Sequence, residues 1–219
     1  MASQTTQIIN SVVTGNQVLV QFAGLPNNLP NTYGNYVAIW RNQNTIPWNN
    51  TTPDGYAAIS VNTSQGSQAI DVSIAPGVSY VVGYGVGPKG AGAQMWSNIC
   101  ASMYVPATGS STYASPALTD LQIFSDTVIV NFQLPSGATP GTNGAWIGIW
   151  QTSDGSYSTP PMASNAVTLN SSQGSAAING VTVQRGQTYT VALFTSGWKA
   201  GAGGANVQTA MACTITSNT

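Results

Sequence analysis

The chain has no histidine and no glutamate. Its acids are Asp54, Asp71, Asp120, Asp126 and Asp154, and its cations are Arg41, Lys89, Arg185 and Lys199. Charged residues make up 4% of the 219, where about 25% is usual for a globular domain. Each shortage excludes something. Without His there is no Ser–His–Asp or Cys–His centre, and the commonest metal ligand is missing. Glycoside hydrolysis needs two carboxylates facing one bond, but the five Asp are scattered, and Asp54 and Asp154 stand in Asp-Gly pairs that read as turns. Calcium sites gather several carboxylates, and no such cluster is present. A net charge of -1 exerts no long-range pull on nucleic acid or an anionic membrane. Two Cys make neither a disulfide framework nor a four-Cys zinc site. No apolar run approaches the roughly 18 residues of a membrane helix. The start, MASQTTQIINSVVTGN, lacks the basic residues and apolar block of a secretory signal. These absences predict a non-enzymatic protein that needs no cofactor or metal and does not bind nucleic acid.

Apolar residues, in contrast, are plentiful. They reach 42%, with 6 Trp, 9 Tyr and 4 Phe, enough to build a core and unlike the composition of disordered chains. Ser, Thr, Asn, Gln and 24 Gly supply the polarity that charge does not.

Self-comparison shows a tandem repeat. NQVLVQF (16–22) matches DTVIVNF (126–132), and GNYVAIW (34–40) matches GAWIGIW (144–150). NTSQGSQAI (62–70) matches NSSQGSAAI (170–178), and APGVSYVVGYGVG (75–87) matches QRGQTYTVALFTSG (184–197). Lys89 falls on Lys199 and Cys100 on Cys213. The matched blocks keep their order with small drifts, as expected of one duplicated unit with loop insertions. The expected units are 1–107 and 117–219, joined by a Ser/Thr/Gly/Pro linker at 108–116.

Each unit reads as all-β. VLVQF, VIVNF, VAIW, WIGIW, YVVGYGV and YTVALF are short, rich in β-branched and aromatic residues, and separated by Gly, Pro, Asn and Ser. No stretch has a sustained helical period. About seven short strands per unit predict two tandem antiparallel β-sandwiches that present their loops separately. The turn and strand patterns APGVSYVVGYGV and QRGQTYTVALF resemble fibronectin type III-like domains. Trp40 and Trp150, each ending a third-strand segment, resemble the immunoglobulin arrangement. The resemblance implies a sandwich fold, but the paired Cys of immunoglobulin domains is absent. Each unit has one Cys near its end, read as a buried thiol, with a Cys100–Cys213 bridge between units as the alternative.

The candidate binding residues cluster around the repeated lysines. Lys89 and Gly90 lie in GPKGAGA, and Lys199 and Gly201 lie in GWKAGAGG, each predicted as a hairpin loop at one end of a sandwich. Gly leaves backbone amides accessible and Lys adds three donors. Trp96 and Trp198 flank these loops, while Trp48 and Asn49 lie in a polar loop after the third strand. Aromatic faces beside amides can stack on a sugar ring while bonding its hydroxyls. The plainer reading is that the lysine hairpins are solvated and the Trp residues anchor loops. Trp40, Trp146 and Trp150 are expected in the core. The four Asn-x-Ser/Thr matches at Asn49, Asn50, Asn62 and Asn170 carry little weight in so Asn- and Thr-rich a chain.

The function expected first is a lectin-like carbohydrate binder with one loop-end site per repeat. Two weak sites on one chain would raise avidity. Its partner would be an extracellular glycan or cell-surface receptor, and its place outside the cell or on its surface. The alternative is a self-assembling structural, surface or coat protein, since a surface with few charges associates readily into homo-oligomers. The third is a secreted toxin or host-directed effector acting on a receptor or membrane.

Overall fold

The structure, a computed structural model, describes residues 2–198 and 211–219. Its strands are β1 (Ala2–Thr5), β2 (Gln7–Val13), β3 (Gln17–Ala23), β4 (Tyr36–Arg41), β5 (Gly55–Ala58), β6 (Gln65–Asp71), β7 (Tyr80–Gly85) and β8 (Ile99–Val105). They continue as β9 (Thr112–Ala114), β10 (Ala117–Ile123), β11 (Thr127–Gln133), β12 (Trp146–Trp150), β13 (Ala163–Ala166), β14 (Gln173–Asn179), β15 (Thr188–Phe194) and β16 (Met211–Asn218). Two single-turn helices, α1 (Pro30–Tyr33) and α2 (Pro140–Asn143), precede β4 and β12. Each begins at a Pro whose φ is already helical. Each ends at a Gly in the left-handed region, Gly34 (φ 75°) and Gly144 (φ 68°).

The fold is all-β, and every strand pairing is antiparallel. In the first half, the sheet β2-β3-β6 faces β5-β4-β7-β8-β9. In the second, β10-β11-β14 faces β13-β12-β15-β16-β1. Alternation drives this arrangement. Val18, Val20 and Phe22 on β3 point inward and are buried, as are Val128, Val130 and Phe132 on β11. Each sandwich has its own core, with Cys100 inside the first and Cys213 inside the second, both free and buried.

The larger sheets are buried on both faces. On β4, Val37 and Ile39 face the sandwich interior while Tyr36, Ala38 and Trp40 form a second cluster with Trp96 on the outer face. On the second half, Trp146, Trp150 and Phe194 form the corresponding outer cluster with Tyr157 and with Leu25 from the first half. Trp40, Trp146 and Trp150 are therefore buried as expected, but on the face away from the sandwich interior.

Two strands cross the expected boundaries. β1, at the start of the first unit, pairs with β16 at the end of the second, in the register Ala2↔Thr216 to Thr5↔Cys213. The segment 108–116, expected as a linker, carries β9, which pairs with β8 through Met103↔Tyr113. Each half's leading segment thus completes the other half's last strand. The physical reason is that β8 and β16 would otherwise be edges with unpaired backbone groups. Further bonds join the halves: the Thr6 amide donates to Ala212 O at 2.9 Å, Gln94 Nε2 to Thr142 O at 2.6 Å, and Ser196 Oγ to Asn98 Oδ1. The halves do not stand as separate shells.

Candidate functional site

The expected lysine loop of the first half follows β7. Lys89 is exposed, and its Nζ lies 5.1 Å from the centroid of the Tyr56 ring on β5. The Gly90 amide donates to Met95 O at 2.9 Å, and a Cβ on Gly90 would fall 2.3 Å from Gln94 O. The glycine is there because the chain doubles back too tightly for a side chain, not to open an amide to a ligand.

The tryptophans expected to flank this loop are structural. Trp96 is 1% exposed and meets Trp40 edge-on at 5.1 Å. Both indoles donate to Thr51 O, at 3.1 and 2.9 Å, tying the loop after β4 to the loop after β7. With both faces covered, Trp96 has no surface on which a sugar can stack, so its expected role is corrected. Trp48 is half-buried against the other half. Its Nε1 donates to Ser136 O at 2.9 Å, and its ring lies against Gly137. It joins the halves instead of facing a ligand. Asn49 is exposed and accepts from Thr51 Oγ1 at 2.8 Å. Trp198 is half-buried beside Trp146, with its amide on Gly144 O. Lys199 and Gly201 lie outside the described residues. Of the expected site, the structure brings Lys89 to Tyr56, folds Gly90 against Gln94 and Met95, and draws Trp48 and Trp96 into packing.

A different group of residues converges where the halves meet. The loop after β12 is fixed by Trp150 Nε1 donating to Thr159 O at 2.9 Å, as Trp40 does to Thr51 O. Within it, Ser156 Oγ accepts the amides of Ser158 and Thr159 at 3.1 and 2.8 Å. This turns Tyr157 inward, where it stacks on Tyr33 of α1 with centroids 5.2 Å apart and planes 19° apart. Tyr157 is 7% exposed, and burial pushes its hydroxyl pKa up.

Beside this stack opens a cleft of about 460 Å³. Its aromatic side is Tyr33, Trp150 and Tyr157, and its polar side includes Asn27, Thr152, Asp154 and Ser158. Asn27 reaches the rim through a left-handed turn (φ 61°), which Asn tolerates. The Asp154 carboxylate accepts from Ser153 Oγ at 3.2 Å and is otherwise exposed at the rim. The arrangement offers one half-buried ring, Tyr33, backed by the buried Tyr157 and Trp150, together with one carboxylate acceptor and several hydroxyls and amides. Among the described residues no group of three or more His, Cys, Asp or Glu is placed to hold a metal ion.

Tyr33, Tyr157 and Asn27 had not been singled out in the sequence. A signal was present: Trp48 and Tyr157 are each an aromatic residue in the polar loop after the Trp-ending strand. Trp48 covers Gly137, the repeat counterpart of Asn27, so in that corner an indole fills the space that is open beside Tyr33. The cleft belongs to one corner of the molecule and does not recur as one site per repeat.

The fold is thus a pair of antiparallel β-sandwiches with exchanged leading strands. No family model matches the chain, and no curated protein matches it. Among solved structures it is similar to the BSP domain of a biofilm-associated protein, at 14% identity and a TM-score of 0.27. That match covers 91% of this chain and 27% of the other. It is also similar to a DUF3823 family protein from Bacteroides uniformis, at 9% identity and a TM-score of 0.35, covering 89% of this chain and 93% of that one. At these scores neither likeness bears on what this chain binds.

Proposed function

We propose that the protein is a non-enzymatic carbohydrate binder that works outside the cell or on its surface, through the cleft between its halves. The observation that carries this reading is the convergence of Tyr33, from one half, with Asp154 and the hydroxyls of the loop after β12, from the other, around one open cleft. A neutral polyol is the ligand class that suits it. Its ring C–H face packs on aromatic surface, and its hydroxyls donate to a carboxylate and exchange bonds with Ser, Thr and Asn. The almost uncharged surface suits a protein meeting variable salt and pH.

The test is a glycan array probed with the wild type and with Tyr33→Ala, Asp154→Ala and Lys89→Ala. Wild type is expected to give specific signal. Asp154→Ala should weaken it at least tenfold, in line with about 1.5–3 kcal/mol for hydrogen bonds to a charged group. Lys89→Ala should leave it in place. A blank array with wild type, or loss of signal only in Lys89→Ala, would remove the cleft from the account.

One observation favours a second reading, a self-assembling surface or structural protein. β2 is an edge strand with no charged side chain, and Ile9, Val12 and Val13 on it are exposed by 49, 49 and 41%. Uncharged apolar edges are templates for pairing between chains. This reading predicts concentration-dependent particles by light scattering that Val12→Lys abolishes.

A further inference from the structure

The second sandwich carries, at its end opposite α2, a cleft of about 470 Å³ that has no part in the proposed carbohydrate site. One wall is apolar, made by Leu121, Ile123, Phe124 and Val183. The rest of the lining is polar, with Ser125, Ser217, Asn218, Thr219 and the exposed Arg185. Phe124 is 50% exposed, an unusual position for a Phe. Arg185 is exposed and forms no ion pair among the described residues, whereas the other described arginine, Arg41, is paired with Asp54.

Both side chains sit on tightly held backbone. The Phe124 amide donates to Thr127 O at 2.8 Å, closing the β10–β11 turn, and the Val183 amide donates to Ser125 O at 3.2 Å. Around Arg185, the Gln184 amide donates to Tyr189 Oη at 2.9 Å and the Gly186 amide to Thr219 O at 2.9 Å. Phe and Arg are therefore presented from a fixed frame.

The duplicated half supplies the control. There the Thr14 amide closes the β2–β3 turn on Gln17 O at 2.9 Å, and the Ala75 amide donates to Tyr80 Oη at 2.9 Å. Gly77 and Gly186 share the left-handed conformation, with φ 75° and 73°. The backbone is the same, yet Thr14 stands where the second half has Phe124, and Pro76 where it has Arg185. The turns fold without a Phe or an Arg, so folding does not call for either residue. An exposed ring and a guanidinium with no ion pair among the described residues, over a cleft with one apolar and one polar wall, match a ligand that is apolar with one anionic end.

We propose that this cleft binds the carboxylate of an amphipathic ligand. Arg185 takes the carboxylate through its paired N–H donors, and Phe124, Ile123 and Val183 pack against the apolar part. The same chemistry is offered by a free aliphatic acid and by a peptide ending in an apolar residue, so the experiment includes both sources. The ¹⁵N-labelled full chain is titrated with octanoate, with octanamide, with a hexapeptide ending in Leu-COO⁻ and with the same peptide amidated. Amide shifts at Ser125, Val183 and Gly186 are followed. One carboxylate probe is expected to saturate these shifts at least tenfold more tightly than its amide, and which of the two does so identifies the source. Arg185→Gln should abolish that preference, and Phe124→Thr should weaken both members of the pair. Both substitutions are at exposed positions, and unchanged circular dichroism confirms the fold. Equal binding of acid and amide, no shift at millimolar probe, or a preference that survives Arg185→Gln would overturn the proposal.

Discussion

The Tyr36 ring lies across Gly85, where a Cβ would stand 2.3 Å from its carbons. Gly85→Ala must displace a fully buried aromatic. It is expected to cost about 1–3 kcal/mol, lowering the thermal midpoint by about 2–4 °C for each kcal/mol in a chain of this size. The Tyr36 hydroxyl is itself buried and has no hydrogen-bond partner among the described residues. Tyr36→Phe removes an unsatisfied polar group, so it should leave the midpoint unchanged or raise it slightly. A fall of several degrees would mean that the hydroxyl does have a partner. Burial also raises the pKa of Tyr36, Tyr84, Cys100 and Cys213 above the ordinary values. For such groups the folded state holds the proton longer than the unfolded state does. Their contribution is complete below the unfolded pKa and is lost as the pH rises past about 9 for Cys and about 10 for Tyr. With no His to titrate between pH 5 and 8, denaturant midpoints should begin to fall in alkali; Cys100→Ala should make the first part of that fall shallower, and Cys100→Ala with Cys213→Ala should move its onset up to the Tyr range.

Among the elements, those with strong alternation were legible from sequence. β3, β4, β7, β11, β12 and β15 all carry runs of Val, Ile, Tyr, Phe or Trp. β1 and β9 were not, because ASQT and TYA are too short and too polar to show a period. Their pairing is set by neighbouring edges: β9 folds back on β8 across a short turn, while β1 meets β16 from the opposite end of the chain. Propensity could not assign 108–116 a strand when three polar-flanked residues are extended only because the open edge of β8 pairs with them. A chain lacking residues 2–5 should fold but lose amide-exchange protection along the edge of β16 and associate through that edge. If protection in β16 and the monomeric state both survive, the β1–β16 pairing carries no weight in solution.

For the molecule as a whole, the repeat made the two sandwiches legible but concealed how they join. Self-comparison reports what the halves share, and the cleft depends on where they differ. Trp48 covers Gly137 at one corner, and Tyr157 stacks on Tyr33 at the other. Lys89 stands out in the sequence because it recurs as Lys199 and the chain has only four cations. Tyr33, an unremarkable residue in PNTYG, gains its place only when the other half docks. Because Leu25 lies in the outer core of the second half and Ala212 in the inner core of the first, the full chain should unfold in one calorimetric transition. The pieces 1–107 and 117–219 expressed separately should each be less stable than the whole. Two resolved transitions in the intact chain would show that the shared cores do not couple the halves.

The most direct test of a site built jointly by both halves is a backbone-resonance titration of the intact chain with a glycan that scores on the array. Amides of Asn27 to Tyr33 and of Thr152 to Thr159 are predicted to shift together and to saturate with one dissociation constant. Shifts confined to the loop around Lys89, or to only one of those two segments, would contradict it.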